Sequence, residues 1–190
     1  MNGNAPRPAV DRALALAGQF WQPATALGVV RSVVAEAMPA SFRDLLDHRS
    51  HMTVAMERHH GGPVKLQVLD VADAPGSAYA REILLTGPKG DVVQYGIVRV
   101  DLSAVDAATA SAIRAGRVPL GRLLIEAGMF RDVQHVSLLE VQPGPRLTRL
   151  FGAADGHRDA PLVTFGRVAE IALNGVPAIE LLEIPAPVPP

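Results

Sequence analysis

Arg81 stands inside the run Tyr79-Ala-Arg-Glu-Ile-Leu-Leu85, which otherwise reads as a buried strand. A guanidinium held on an apolar sheet face needs an anion, because an unpaired buried charge is too costly to keep. Arg81 is therefore a candidate carboxylate anchor; from the residues alone, a cross-strand ion pair is the plainer reading. Four histidines, His48, His51, His59 and His60, crowd into a short stretch, and His48 and His51 are spaced to share a helical face. Glu57 or His60 could complete a metal site with them, but the spacing is not specific and they read as polar helix-surface residues, so no metal is expected. Gly61-Gly62-Pro63 is a turn rather than a phosphate cradle, since no Lys-Ser/Thr follows it.

The elements that must position Arg81 fit one domain. The chain has 190 residues, 48% of them hydrophobic, enough for one core and too few for two. Residues 1–8 are expected to be disordered, 9–185 to form the domain, and 186–190 to be a proline-rich tail. A formal net charge of −1 offers no general attraction to nucleic acid or to an anionic membrane. Only Lys65 and Lys89 of the 18 basic residues are lysines, so the cationic groups are mostly planar arginine forks suited to carboxylates. Without cysteine, thiolate chemistry and disulfides are excluded. The short apolar stretch 13–17 follows Asp11 and Arg12 and is no secretory signal, and no long uncharged apolar run occurs. A soluble cytoplasmic protein without membrane insertion is the expectation.

Leu27, Val30, Val34 and Met38 recur at helical intervals over 24–38, with Pro39 as the stop, and a second short helix opened by Ser41 is expected to about residue 47. From Val64 the period changes to two. Strands are expected over 64–69, 80–86, 92–100, 133–141, 162–173 and 176–184, with hairpins at Gly87-Pro-Lys-Gly90 and Asn174-Gly175. A helix capped by Ser103 and ended by Gly116, and another from Pro119 to Gly128, fill the centre, and 152–159 reads as a mobile loop. The fold class is α+β: a single antiparallel sheet with helices covering one face.

Four islands, in order, resemble the chorismate pyruvate-lyase family, whose enzymes form 4-hydroxybenzoate. They are Leu45-Leu-Asp-His-Arg-Ser-His-Met-Thr53; Arg81-Glu-Ile-Leu-Leu85 with Gly96 beyond the turn; Pro119-Leu-Gly-Arg-Leu-Leu124 with Arg131-Asp132; and Gly166-Arg167 ahead of Gly175-Val-Pro177. The resemblance implies a chorismate lyase-like fold and a cofactor-free elimination of pyruvate from chorismate. Aromatisation drives that reaction, so the protein has only to bind a dianion, orient it and manage a proton. Carried over by position, Arg81 grips the ring carboxylate bidentately. The backbone of Leu120, with Gly121 allowing close approach, helps form the product pocket, and Met52 and Thr53 lie near the ligand. A last-strand glutamate handles the proton: Glu183 fits the spacing better, and Glu180 is the alternative, one strand face away. One departure stands out. Where the family has Gly-Arg-Thr, this chain has Gly96-Ile-Val, and Arg99 two residues beyond could return to the same face; failing that, Arg167 or Arg122 would meet the second carboxylate.

The competing reading is a ligand-binding module, since the same fold serves as the effector-sensing domain of certain bacterial transcription regulators. Those carry a winged helix-turn-helix ahead of the sensor, whereas about 45 residues without a basic recognition helix precede the first island here, so a small-molecule partner and no nucleic acid is expected. A lyase acting on a related cyclohexadiene acid is the other alternative, and oligomeric state is left open.

Overall fold

The computed structural model describes residues 7–73, 77–129, 131–152 and 162–187. The expected disorder of the N-terminus and the expected mobile loop therefore lie almost entirely outside the described residues, as does the end of the proline tail.

Helix α1 (Ala9–Ala17) turns Ala13, Leu16 and Ala17 inward. The helix expected over 24–38 is instead a 3-10 turn (Ala24–Leu27), strand β1 (Gly28–Ser32) and a second 3-10 turn (Ala35–Ala37). Two local features override the helical spacing. Val29, Val30, Val33 and Val34 are β-branched and suit a strand, and Gly28 adopts φ 133°, where an added Cβ would lie 2.1 Å from the Gln142 carbonyl oxygen. Helices α2 (Ala40–Leu46) and α3 (Met52–His60) follow. Next come β2 (Lys65–Asp73), β3 (Ala78–Thr86) and β4 (Val92–Asp101). Helix α4 (Ala107–Ala115) is capped by Asp106, whose Oδ1 accepts from the Thr109 amide at 2.8 Å; Ser103 instead sits in a preceding 3-10 turn. Gly116 ends α4 at φ 63°, as expected from its type. Helix α5 (Leu120–Glu126), β5 (Arg131–Pro143), α6 (Pro145–Leu150), β6 (Thr164–Leu173) and β7 (Val176–Pro185) complete the fold.

All seven strands form one antiparallel sheet in the order β1-β5-β6-β7-β4-β3-β2. The α+β class is as expected, but helices cover both faces rather than one. Leu16, Trp21 and Leu147, from α1, the segment after it and α6, pack on Leu84, Tyr95, Ile97, Leu182 and Ile184. Helices α2 to α5 pack on the alternate residues, Ile83, Leu85, Val98, Ile171 and Leu181. This double coverage explains why β4 and β7 read as continuous apolar runs without alternation. It also sends the sequence neighbours Arg81 and Glu82 to opposite sides.

Glu82, fully buried on the α1 side, is satisfied locally. Trp21 Nε1 and the Tyr95 hydroxyl donate to its Oε1, each at 2.9 Å, and Arg146 Nη2 donates to Oε2 at 2.7 Å while stacking over the Trp21 ring at 4.3 Å. Burial and the adjacent carboxylate push the Tyr95 phenol far up, so it stays a donor. Among the described residues, no helix is long and apolar enough to cross a membrane.

Candidate functional site

The face covered by α3 and α5 holds a partly open cavity of about 40 Å³. Its roof is Met52 and Thr53 at the start of α3 and Leu120 and Gly121 at the start of α5; its floor includes Ile83, Gln94, Val98, Leu181 and Glu183. An apolar cavity that admits benzene is roughly 150 Å³, so an aromatic ligand requires α3 or α5 to swing outward. Gly121 makes the present closure possible: a Cβ there would stand 3.1 Å from Thr53 Oγ1 and 3.2 Å from His51 Cβ.

Two polar clasps hold the roof down. Arg122 of α5 is ion-paired with Glu57 of α3, and Arg131 Nε of β5 donates to His51 Nε2. Burial, then Arg131 and Arg167, push His51 down to about 4, which keeps the ring neutral and able to accept. The unfolded chain takes up this proton near pH 6.5 and the folded protein only near 4, so His51 makes stability fall as pH drops through that window. Denaturant titrations at pH 7 and pH 4.5 are expected to show a smaller acid loss for His51→Gln than for the parent; equal losses would count against the depressed value.

The cavity gathers the sequence-derived residues selectively. Met52, Thr53, Leu120, Gly121, Arg167 and Glu183 all line it. Arg167 and Glu183 meet as a buried pair, Arg167 Nε donating to Glu183 Oε2 at 2.7 Å. The rest of this guanidinium is committed to the chain entering α3, with Nη1 donating to the His48 carbonyl at 2.9 Å and Nη2 to that of Ser50 at 3.3 Å. It has no free fork for a second carboxylate. Glu180 and Arg99 lie on the opposite face, ion-paired with each other across β7 and β4. The reason is the two-residue period: Glu180 is three residues from Glu183, and Arg99 shares its face with Ile97, which packs toward α1. Arg99 therefore does not supply the missing second arginine, and neither residue faces the cavity. The four histidines are dispersed in role, His48 against Arg167, His51 against Arg131, and His59 edge-on to His60.

Arg81 is 0% exposed, on the cavity side of β3. Ile83, two residues along, and Val98, its partner on β4, are both cavity wall, whereas Arg81 itself lies beside the cavity and is not part of its lining. Its Nη1 donates to the Ile113 carbonyl at 3.0 Å, while Nε and Nη2 have no partner. No carboxylate among the described residues reaches it. Desolvation lowers its pKa, and the Tyr79 hydroxyl, close enough to interact with the guanidinium, acts in the opposite sense, although no hydrogen bond of normal geometry joins the two and the hydroxyl is otherwise buried without a partner. Tyr79 was not singled out by sequence, nor was Gln94, whose Oε1 is also unpartnered; the only available signal was their two-residue phase with Arg81 and Gly96.

No family model matches this sequence, and no curated protein matches it. Among solved structures, the effector domain of PhnF from Mycobacterium smegmatis superposes with TM-score 0.51 at 13% identity, covering 72% of this chain and 88% of that one. The fold is shared with that PhnF domain. PhnF itself gives TM-score 0.50 at 13% identity, with this chain spanning 64% of its length. A GntR-family transcriptional regulator from Bacillus cereus is looser, at TM-score 0.43 and 10% identity over 65% of this chain and 92% of that one. The architecture is thus a chorismate lyase-like α+β fold, shared with the PhnF domain, with the cavity between its sheet and helices α3 and α5.

Proposed function

We propose that this chain is a ligand-binding domain whose cavity receives a small aromatic or cyclohexadiene carboxylic acid, with the carboxylate taken by Arg81. One observation carries the reading: a fully buried guanidinium with two unpartnered nitrogens and no acidic partner among the described residues. An ion left in that state is a standing penalty that an incoming carboxylate removes. The neighbouring Tyr79 hydroxyl supplies a further donor to the same anion, and the apolar wall of Met52, Ile83, Val98, Leu120 and Leu181 suits a ring.

A second reading, lyase action on chorismate, is favoured by Glu183. Its carboxylate lines the cavity with Oε2 fixed by Arg167, a placement suited to taking the ring proton as the bond between ring and enolpyruvyl oxygen breaks. The electrons of the C–H bond complete the aromatic ring, and the departing enolpyruvate takes up a proton to become pyruvate.

Calorimetric titration with 4-hydroxybenzoate, alongside incubation with chorismate and chromatography for both products, separates the readings. Binding without turnover is expected of the effector-type domain. Formation of both products, with Glu183→Gln abolishing turnover but leaving product affinity within about threefold, is expected of the lyase. Failure of the folded protein to bind the acid would reject both.

A further inference from the structure

Gln94 is 2% exposed, lines the cavity and holds an Oε1 without a hydrogen-bond partner. A buried amide oxygen left in that state is a cost that persists only where something else meets it. Its placement shows where that partner must come from. Gln94 sits on β4 opposite Leu85 of β3 and Pro185 of β7, two residues before Gly96. Gly96 has no side chain to hold the amide away: a Cβ there would lie 3.6 Å from Gln94 Nε2 and 3.3 Å from Ile83 Cγ1, so the amide lies along the cavity floor above the glycine.

Arg81, with Nε and Nη2 unpartnered, and Tyr79, with its hydroxyl unpartnered, lie on this face of β3 beside Val98 and Val100, just beyond the cavity lining, and Gln94 stands four residues from Val98 along β4, roughly 13 Å at strand spacing. That separation is of the order of a ring with substituents at both ends, which the site can take only after α3 or α5 has moved outward. The complement of such a site is an acid whose carboxylate lies at one end and whose O–H or N–H donor lies at the other.

We infer that Gln94 is a specificity-determining residue, accepting a hydrogen bond from a hydroxyl or amine on the end of the ligand opposite its carboxylate. The inference rests on the reading that Arg81 receives the carboxylate. Glu183, diagonal to Gln94 across the β4–β7 pairing, is the competing acceptor, and its Oε2 is already engaged by Arg167.

Titration with 4-hydroxybenzoate, 4-aminobenzoate and 4-fluorobenzoate tests it, because fluorine is close in size to a hydroxyl but donates nothing. The parent protein is expected to bind the hydroxy and amino acids about 10- to 100-fold more tightly than the fluoro acid. In Gln94→Met that preference is expected to vanish, with fluoro-acid affinity moving by less than about threefold. Survival of the preference in Gln94→Met would assign the contact to Glu183 and overturn the inference. So would equal binding of the hydroxy and fluoro acids by the parent, a comparison that needs no variant to fold. The underlying reading fails in a different pattern: either none of the acids binds, or Arg81→Met leaves all three affinities unchanged, and the role of Gln94 falls with it.

Discussion

Arg81→Met is expected to make the protein more stable and, at the same time, to remove its affinity for aromatic carboxylates. The two effects share one cause. In the folded protein this guanidinium is stripped of water and receives a single hydrogen-bond acceptor, the Ile113 carbonyl, for its five donors. Methionine fills similar space, restores apolar contact with Tyr79 and Val98, and loses only that one bond. The lost bond is worth about 1 kcal/mol, whereas the unmet desolvation exceeds it, so a net gain of about 1–3 kcal/mol follows. For a chain of this length that raises Tm by several degrees. Affinity for 4-hydroxybenzoate should fall by at least about 100-fold, because a buried charge pair is lost with no water to replace it. Arg81→Lys, which keeps charge but not the fork, should fall between the two. Thermal melts and calorimetry read both quantities on one preparation. A lower Tm with affinity intact would mean that Arg81 is a strut holding the end of α4.

How much of this was legible in the sequence depended on whether a feature was local. Gly87-Pro-Lys-Gly90 joins β3 to β4 as its residue types demand, and Asn174 and Gly175 adopt φ 50° and 82° in the turn before β7. Gly116 and Pro119 mark helix ends through backbone preferences that tertiary contacts do not override. Strand β1 was hidden because the valines and alanines of 24–38 satisfy helical and alternating patterns at once, and the deciding contact of Gly28 with Gln142 is distant in sequence. Six-residue α6 lay inside a Gly/Pro-rich stretch, and double coverage of the sheet could not be read from strands whose two faces are equally apolar. In the site, the choice between Glu183 and Glu180 turned on strand phase, which pattern alone left open by one residue. Arg99 failed for the same reason, since sharing a face with position 97 helped only if that face was the cavity side. The unpartnered atoms of Arg81, Tyr79 and Gln94 were beyond reach in principle, because whether a polar group is satisfied is a property of the packed chain.

Arg167→Met should be the most destabilising single change on the cavity face, although it resembles Arg81→Met as a substitution. Here the buried guanidinium is fully engaged. Removing it strands the Glu183 carboxylate without a counter-charge and leaves the carbonyls of His48 and Ser50 short of a donor, directly before α3. Breaking a buried pair from one side costs about 3–5 kcal/mol, which lowers Tm by on the order of 10 °C. Glu183→Gln should cost less, because the amide oxygen can still accept from Arg167 Nε. The double variant Arg167→Met with Glu183→Leu should recover part of the loss, since replacing both members with apolar groups leaves no stranded charge. A double-mutant cycle by urea denaturation measures the coupling directly, and at least about 1 kcal/mol is expected. Hydrogen exchange should also quicken across 46–51 in Arg167→Met, because that guanidinium ties the segment to β6. Additive single variants with unchanged exchange would show that the pair neither braces the roof of the cavity nor fixes Glu183 in it.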